Sequence, residues 1–409
     1  MQRIHRRRWP TPVHHDGRDY LTTEQVAKAL GVKASTVYAY VSRGRLQSQR
    51  IDGVSGSVFP VDEVEKLLTA GRPRPPAGVV ERIRTQLTYL HDDRLYYRGH
   101  AVGDLARDMS FEEVAALLWE QPWPTIPPGA VGDVPGRVDA ALGPAARGLD
   151  RIRLIVDLLG ADDARRHQLD PAAVTVKAAT ILETIVGVDV VDGSDVEGRG
   201  FAERLWPLLT DDPSTPERVR ILNAALVLLA DHDLSAGTIA ARVAASARGS
   251  VYAVVSAGLG AFDGPMHGGA TTFAYRFLAE TLDDPESVVG ERLRLGERIP
   301  GTGHVVYRHS DPRAETLTEL LRDAGDGDPR VSSAMSSVTR ALGSSTFVNS
   351  DFALAALALS YRMRPDAAET IFAVARIVGW TAHALEEYGE KRLRFRPEGV
   401  YTGVRPVGV

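Results

Sequence analysis

Histidines, arginines and one carboxylate interrupt an alanine- and leucine-rich pattern in four stretches of the sequence. The stretches are ADHDLSAGTIAARV (230–243), GAFDGPMHGGA (260–270), IPGTGHVVYRHSDPRAETL (299–317) and FVNSDFALAALALSY (347–361). Their polar residues include His232, His267, His304, Asp351, Arg308 and Arg313. Taken singly, each has an ordinary structural interpretation, such as a capping histidine or a carboxylate favoured by a helix N-terminus.

Taken together, these residues suit the removal of a proton next to a carbonyl group. A carboxylate such as Asp351 would take the proton, one neutral histidine would hydrogen-bond the enolate oxygen, and another would polarise an electrophile. Arginines would hold carboxylates through paired hydrogen bonds. The turn at Gly301 and Gly303 is either a phosphate-binding turn or an ordinary loop. The residues are consistent with this chemistry without making it unique.

Helical periodicity dominates the chain from residue 79 onward, and strand-like alternation is rare. Four examples are FEEVAALLWE (111–120), RIRLIVDLLG (151–160), RVRILNAALVLLADH (218–232) and TIFAVARIVGWTAHALEEYG (370–389). An all-α bundle is therefore the predicted scaffold for the polar stretches. The proline- and glycine-rich segment at 121–136 is predicted to be a surface loop.

Composition limits the classes of function that need to be considered. The 409 residues contain no cysteine, which excludes disulfides, thiolate metal sites and cysteine nucleophiles. The longest apolar run, ILNAALVLLA at 221–230, is well short of the roughly 20 residues that a membrane span needs. The basic segment MQRIHRRRWP is not followed by an apolar stretch of the secretory type. We expect a cytoplasmic protein that does not bind a membrane.

The N-terminal part of the chain is basic and the remainder is acidic. Residues 1–80 contain 13 lysines and arginines against 7 aspartates and glutamates, and the other residues contain 35 against 46. The net charge of the whole chain is −5. This asymmetry predicts either two functions or one function with an added module.

The segment YLTTEQVAKALGVKASTVYAYVSRGRL (20–46) has the pattern of two short helices joined by a tight turn. Thr22 and Gln25 form a capping-box pattern before the first helix, and the second is predicted at 34–42. A glycine-turned hairpin and a helix beginning near Asp62 follow. This order predicts a winged helix-turn-helix module.

The module resembles excisionase and MerR-type helix-turn-helix modules. The resemblance implies that the second helix and its ends face a DNA groove or its phosphates. The residues so placed are Lys33, Ser35, Thr36, Tyr38 and Arg43. DNA is then an expected partner of residues 20–68. The alternative is a module retained for dimer contacts or folding, because the motif defines a shape and not a ligand.

A proline-rich segment, AGRPRPPAG at 70–78, is the natural boundary between the two parts. We therefore expect a winged helix-turn-helix module at 1–70, a linker at 71–78 and a mainly α body at 79–409.

The body resembles citrate synthase along nearly all of its length. The matching segments, in order, are YYRGHAVGDLA (96–106), FEEVAALLW, ADHDLSAGT, GPMHGGA, PGTGHVVYRHSDPRA, NSDF, RIVGWTAHALEE and RFRPEGVYTG (394–403). The resemblance implies a homodimer of mainly α-helical subunits, each with a small subdomain at roughly 270–362 that closes over substrate. It implies no metal and no permanently bound cofactor, with acetyl-CoA or propionyl-CoA as co-substrate.

The resemblance also assigns roles to individual residues. It implies that His267 stabilises the enol of acetyl-CoA, Asp351 takes the methyl proton, and His304 polarises the ketone of oxaloacetate. The implied oxaloacetate ligands are His232, Arg313, Arg376 and, from the other subunit, Arg396. The implied CoA contacts are Arg308, Gly301 and Gly303. The predicted reaction is the condensation of acetyl-CoA with oxaloacetate, which gives citrate and CoA.

Some positions near these residues depart from the family pattern. Ser235 and Gly237 stand where asparagine and serine are usual, and Thr271 stands where asparagine is common. Both the acyl donor and the oxo-acid acceptor therefore stay open. The extra methylene of propionyl-CoA, the donor of a 2-methylcitrate synthase, is worth only about 1–3 kcal/mol in a pocket. A third alternative is a DNA-binding regulator whose synthase-like body senses CoA or oxaloacetate. His383 also matches the family pattern, and we expect it to be structural.

Overall fold

The computed structural model describes residues 12–16, 18–69, 83–187, 199–343 and 346–395. The chain divides into two compact units, Met1–Arg82 and Ile83–Val409. The expected linker at 71–78 lies outside the described residues. Every helix in the described part of the chain is too short or too polar to cross a bilayer.

The first unit is a three-stranded antiparallel sheet with three helices. Strand β2 is the central strand and pairs with β1 and β3. Its elements are β1 (Val13–His15), β2 (Arg18–Thr22), α1 (Thr23–Leu30), α2 (Ala34–Ser42), β3 (Val58–Pro60) and α3 (Val61–Thr69).

The two helices of the predicted helix-turn-helix are confirmed. The Thr22 side chain accepts from the backbone N–H of Gln25, and the Gln25 side chain accepts from the backbone N–H of Thr22, which completes the capping box. Gly31 ends α1 in the left-handed conformation. Val26 and Val37 pack together in the small core of the unit.

The predicted glycine-turned hairpin is present in a short form. Gln49 and Val58 form one antiparallel bridge around a turn in which Gly53 and Gly56 have positive φ. Strand β3 also pairs with β2, with Phe59 opposite Leu21. Leu21 and Phe59 are both fully buried. Pairing with β2 therefore places Phe59 in the core of the unit, which a free hairpin would leave in solvent.

The second unit is mainly helical, as predicted. A long central helix, α18, packs against α5, α7, α8, α10, α11, α12 and α17. The elements are β4 (Thr88–His91), β5 (Arg94–Tyr97), β6 (His100–Ala101), α4 (Val102–Asp108), α5 (Phe111–Trp119), α6 (Val134–Ala141), α7 (Gly148–Asp162), α8 (Pro171–Ile185), α9 (Phe201–Leu209), α10 (Pro216–Leu229), α11 (Ala236–Ser246), α12 (Val251–Phe262), α13 (Ala270–Glu280), α14 (Pro285–Leu295), α15 (Pro312–Ala324), α16 (Pro329–Leu342), α17 (Ser350–Ser360) and α18 (Ala367–Gly389).

The strands β4, β5 and β6 form a small antiparallel sheet that the sequence pattern did not predict. The hydroxyl group of Tyr97 on β5 donates to the backbone carbonyl of Asp231 over 2.7 Å. The side chain of Asp231 accepts from the hydroxyl of Thr88 on β4. The hairpin is thereby fixed to the end of α10, directly before His232.

Candidate active site

Six of the residues predicted to act in catalysis or to bind oxaloacetate line one cavity of about 930 Å³ in the second unit. They come from six different segments: the ends of α10 and α12, the loop before α15, and helices α15, α17 and α18. The six are His232, His267, His304, Arg313, Asp351 and Arg376. The structure therefore brings together the polar groups that the sequence scatters along the chain.

His267 lies in a tight turn between α12 and α13. The backbone N–H of Gly268 donates to the carbonyl of Phe262 over 2.9 Å, and a side chain at 268 would clash with the Phe262 ring. The imidazole packs against Phe262 and Phe372, with ring centroids 5.1 and 5.9 Å away. Burial, together with the positive charge of Arg376, lowers the pKa of His267 to about 4. The ring is therefore neutral at pH 7.

The loop before His304 is shaped by two glycines with positive φ, Gly301 at 76° and Gly303 at 67°. A Cβ at position 301 would lie 2.8 Å from Cβ of Phe352, so only glycine fits there. The side chain of Asn349 donates to the carbonyl of Gly303 over 2.9 Å. Gly303 lines the cavity, whereas Gly301 packs against the start of α17.

The protonation of His304 follows from its surroundings. Burial and the nearby Arg313 guanidinium lower the pKa of His304 to about 4, so the ring is neutral at pH 7. The backbone N–H of Val306 lies 3.2 Å from Nδ1 of His304. A backbone N–H only donates, so Nδ1 is the acceptor and Nε2 carries the proton. His304 is thus a neutral hydrogen-bond donor through Nε2.

Tyr307 lies behind the cavity wall in contact with two of its histidines, and it was not among the residues predicted from the sequence. Its hydroxyl group is 2.9 Å from Nε2 of His232, and its ring centroid is 4.8 Å from that of His304. The Arg313 guanidinium lies 5.6 Å from the ring centroid. Burial, with Arg313 and Arg376, holds the pKa of His232 well below its usual value. The only signal was its position, three residues after the histidine of GTGH.

Asp351 stands in the first turn of α17. The side chain of Asn349 caps the helix by accepting from the backbone N–H groups of Asp351 and Phe352, over 3.0 and 3.3 Å. Burial raises the pKa of Asp351 to about 7, although Arg313 opposes this effect. A carboxyl group with such a pKa accepts and releases a proton near neutral pH.

Two buried arginines that line the same cavity differ in their hydrogen-bond partners. Arg313 pairs with Asp311 through Nε and Nη2, over 3.0 and 2.8 Å. Arg376 donates from Nε to the carbonyl of Leu229 over 2.8 Å, but its buried Nη2 has no partner among the described residues. Burial lowers the pKa of Arg376 to about 10, so it remains charged at pH 7. Such an unpaired cationic group is suited to an anionic ligand.

Two other residues singled out in the sequence, Arg308 and His383, do not line the cavity. The side chain of Arg308 is exposed to solvent and does not line the cavity. The backbone N–H of Arg308 donates to the carboxylate of Asp93 over 2.8 Å. Arg396 lies outside the described residues. His383 is fully buried in α18, where it contacts Asp231 over 3.2 Å.

The positions that depart from the family pattern all lie beside the cavity. A Cβ at Gly237 would lie 3.0 Å from Trp380 and 3.2 Å from Nε2 of His267. The hydroxyl of Thr271 donates over 2.8 Å to a carbonyl within the turn that carries His267. Ser235 lines the cavity, and its hydroxyl is 3.5 Å from a nitrogen of Arg376. These substitutions therefore border the groups that would do the chemistry.

The residues proposed for DNA lie on α2 and at its two ends. Lys33 precedes α2, Ser35 and Thr36 are in its first turn, and Arg43 follows its last residue. Tyr38 is 55% exposed on the helix surface. Lys33, Ser35 and Arg43 are exposed, and Thr36 is half-buried.

Comparison with known proteins agrees with both parts of the chain. The family model for the citrate synthase C-terminal domain matches residues 78–398, and a helix-turn-helix domain model matches residues 20–72. Citrate synthase 2 of Bacillus subtilis (strain 168) is 31% identical over 343 residues, which cover 76% of this chain and 91% of that protein. A 2-methylcitrate synthase 2 of Corynebacterium glutamicum is 30% identical over 342 residues, covering 76% and 88%.

A solved structure of similar fold extends the comparison. The crystal structure of citrate synthase from Pyrobaculum aerophilum superimposes with a TM-score of 0.67 at 25% identity, covering 89% of this chain and 96% of that chain. The expected fold and the resemblance are thereby confirmed. Citrate synthases are acyltransferases that need no metal ion or resident cofactor, because the acyl-CoA is a co-substrate. The cavity geometry and these matches together show that the chain belongs to the citrate synthase family and carries out a citrate synthase-type condensation.

Proposed function

We propose that this protein condenses acetyl-CoA with oxaloacetate to give citrate and free CoA. The observation that carries the proposal is one cavity shared by a carboxyl group and two neutral imidazoles. Asp351 has a pKa of about 7, whereas His267 and His304 have pKa values of about 4. A base and two uncharged donors are what the formation and capture of an enol require.

In the proposed first step, Asp351 accepts a proton from the methyl carbon of acetyl-CoA. The electron pair of the broken C–H bond forms the enol double bond, and negative charge develops on the thioester oxygen. His267 stabilises that oxygen as a neutral hydrogen-bond donor, which leaves it as an enolate, whereas a charged imidazolium would protonate it outright.

In the second step, the enolate carbon attacks the ketone carbon of oxaloacetate and a carbon–carbon bond forms. The ketone π electrons move to the oxygen, which His304 polarises through its Nε2–H, and the resulting alkoxide takes up a proton from solvent to become the hydroxyl group of citryl-CoA. Asp351 releases the methyl proton to solvent and is ionised again for the next cycle. Water then hydrolyses the citryl thioester, which releases citrate and CoA. The carboxylates of oxaloacetate are held by Arg313 and Arg376, with His232 beside them.

The proposal includes a homodimer in which Arg396 of each subunit reaches the neighbouring site. It also includes contacts of Arg308, Gly301 and Gly303 with CoA, and closure of a small subdomain at roughly 270–362 that excludes water during the reaction. The family resemblance supports these points, and light scattering tests the dimer.

Propionyl-CoA is the second candidate acyl donor. The observation in its favour is that the 2-methylcitrate synthase of Corynebacterium glutamicum is about as similar to this chain as the Bacillus subtilis citrate synthase. The decisive experiment is a panel of acyl-CoAs crossed with 2-oxo acids, read by free-CoA release. The highest kcat/KM identifies the substrate pair, and absence of turnover with every pair would reject the proposed function.

We further propose that the helix-turn-helix module binds DNA. Support comes from the exposed residues Lys33, Ser35, Tyr38 and Arg43 along α2 and its ends, and from the basic composition of residues 1–80. A salt-dependent shift in a DNA-binding assay tests it. DNA binding is consistent with the cytoplasmic location expected from the sequence.

A further inference from the structure

The β4–β5 hairpin turns through two aspartates in an unusual backbone conformation. His91 pairs with Arg94, so Asp92 and Asp93 form a two-residue turn, with φ of 46° and 57°. Positive φ at both central positions is typical of a type I′ turn, where asparagine, aspartate or glycine is usual at the first position and glycine at the second. Two non-glycine residues in this conformation suggest that at least one side chain has a role of its own.

Asp93 contacts the loop that carries His304, at Arg308, which lies 215 positions later in the sequence. Its Oδ1 accepts from the backbone N–H of Arg308 and its Oδ2 from the backbone N–H of His309, each over 2.8 Å. Successive backbone N–H groups that converge on one carboxylate form an anion-binding arrangement. The bond from Arg308, with those from His309 and Ser310, holds the pKa of Asp93 below its usual value. The carboxylate therefore stays charged across the neutral range.

The loop held by Asp93 contributes His304, Val305 and Val306 to the cavity wall, and Tyr307 is the one buried side chain of the loop. Tyr307, directly before Arg308, bonds His232 and packs on His304. Between them, Val305 is 99% exposed and Val306 is 47% exposed. A segment that buries one side chain among seven residues opens easily unless polar contacts also hold it.

We propose that Asp93 is a positioning residue for the condensation: its carboxylate latches the loop 304–310 and so holds His304 and Tyr307 in register with the cavity. The inference rests on the proposed function. Neither side chain of the turn touches the cavity wall, so Asp93 acts only through the loop. Loss of the latch lets His304 move relative to the ketone, and small displacements of reacting groups are costly in rate.

The kinetic test compares two matched variants of the turn. Asp93→Gly removes the latch at a position where glycine accepts the backbone conformation. Asp92→Gly makes the same change at the adjacent position. Among the described residues, the carboxylate of Asp92 contacts only the exposed ring of His91, at 3.2 Å. We expect Asp93→Gly to lower kcat about 10-fold or more, and Asp92→Gly to leave it within about twofold.

Chemical rescue separates a positioning role from a merely structural one. Sodium formate supplies a free carboxylate for the N–H groups of Arg308 and His309. We expect it to restore kcat of Asp93→Gly in a saturable manner, with no gain in Asp92→Gly or in the native protein, and no effect of sodium chloride at equal concentration. Equal kcat in the two variants, or no rescue by formate, would overturn the proposal.

Hydrogen exchange gives a readout that does not depend on turnover. Without substrates, we expect the amides of Arg308 and His309 to exchange about 10-fold faster in Asp93→Gly than in Asp92→Gly, and formate to slow them again. If the exchange rates of these two amides are the same in both variants, the proposed role of Asp93 is rejected, whatever the turnover of the enzyme. If the native protein has no turnover but the two variants differ in exchange as expected, the proposed function is rejected and the role of Asp93 in holding the loop is supported.

Discussion

The backbone N–H of Val306 donates a hydrogen bond to Nδ1 of His304 over 3.2 Å. This single contact places the proton of the neutral ring on Nε2, since Nδ1 must be the acceptor. With a pKa of about 4, the ring is not protonated at both nitrogens at physiological pH. In the proposed reaction, His304 would therefore polarise a ketone oxygen by hydrogen bonding, without adding a positive charge to a cavity that three arginines already line.

We expect His304→Ala to reduce kcat by at least about 100-fold, since it removes a donor to developing negative charge. His304→Gln, which keeps an N–H donor, should retain more activity than the alanine variant. Free-CoA release measures both. The matched control is His167→Gln, an exposed histidine away from the cavity, which should be unaffected. Alanine activity within about fivefold of native would contradict the assigned role.

The pH dependence of kcat/KM should reflect ionisation of Asp351 and of neither proposed catalytic histidine. A base must be ionised, so kcat/KM should rise with pH, pass its midpoint near the Asp351 pKa of about 7, and level off above it. His267 and His304 titrate near pH 4 and add no second limb between pH 5.5 and 8.5. A flat profile over this range, or activity that falls as pH rises from 6 to 8, would be inconsistent with Asp351 as the base.

Arg376 should contribute mainly to binding of the oxo acid. Arg376→Lys keeps the charge but loses the planar fork, so we expect KM for oxaloacetate to rise about 10-fold or more, with a smaller change in kcat. Oxaloacetate should also raise the melting temperature of this variant less than that of the native protein. Arg364→Lys, at an exposed arginine outside the cavity, is the control. Unchanged KM and unchanged ligand stabilisation would remove Arg376 from the binding site.

The helix-turn-helix proposal predicts a charge-dependent interaction with DNA. Arg43→Glu should weaken binding to genomic fragments at low salt by about 10-fold or more and reduce the salt dependence of the affinity. Lys28→Glu, which makes the same charge change at an exposed position on α1, should have a smaller effect. If no genomic fragment binds the native protein at low salt, the module has another role.

Local patterns were sufficient to predict the helices and the cap residues. The four body helices expected at 111–120, 151–160, 218–232 and 370–389 correspond to α5, α7, α10 and α18. The capping box of Thr22 and Gln25 forms as predicted. These features depend on residues three or four positions apart, which is the range over which helix periodicity and capping act.

Long-range contacts were not predictable from the same patterns. Asp92 and Asp93 lack the Asn-Gly signature of a hairpin, so the β4–β5 turn gave no signal. In the sequence, nothing distinguishes Tyr307 from other aromatic residues. Its hydroxyl lies beside His232, 75 positions away, only in the folded structure. The raised pKa of Asp351 depends on burial by several helices, whereas the sequence shows only a helix-start acid.

The most direct test of the central claim is turnover of Asp351→Asn, a change that keeps the shape of the side chain and removes its ability to accept the methyl proton. Free-CoA release from acetyl-CoA and oxaloacetate is compared with that of the native protein and of Asp283→Asn, an exposed control, while oxaloacetate affinity is followed by thermal stabilisation. The account predicts a loss of at least about 100-fold in kcat with oxaloacetate affinity nearly unchanged. Native turnover in Asp351→Asn would show that another group removes the proton, and the assignment of the base would be wrong.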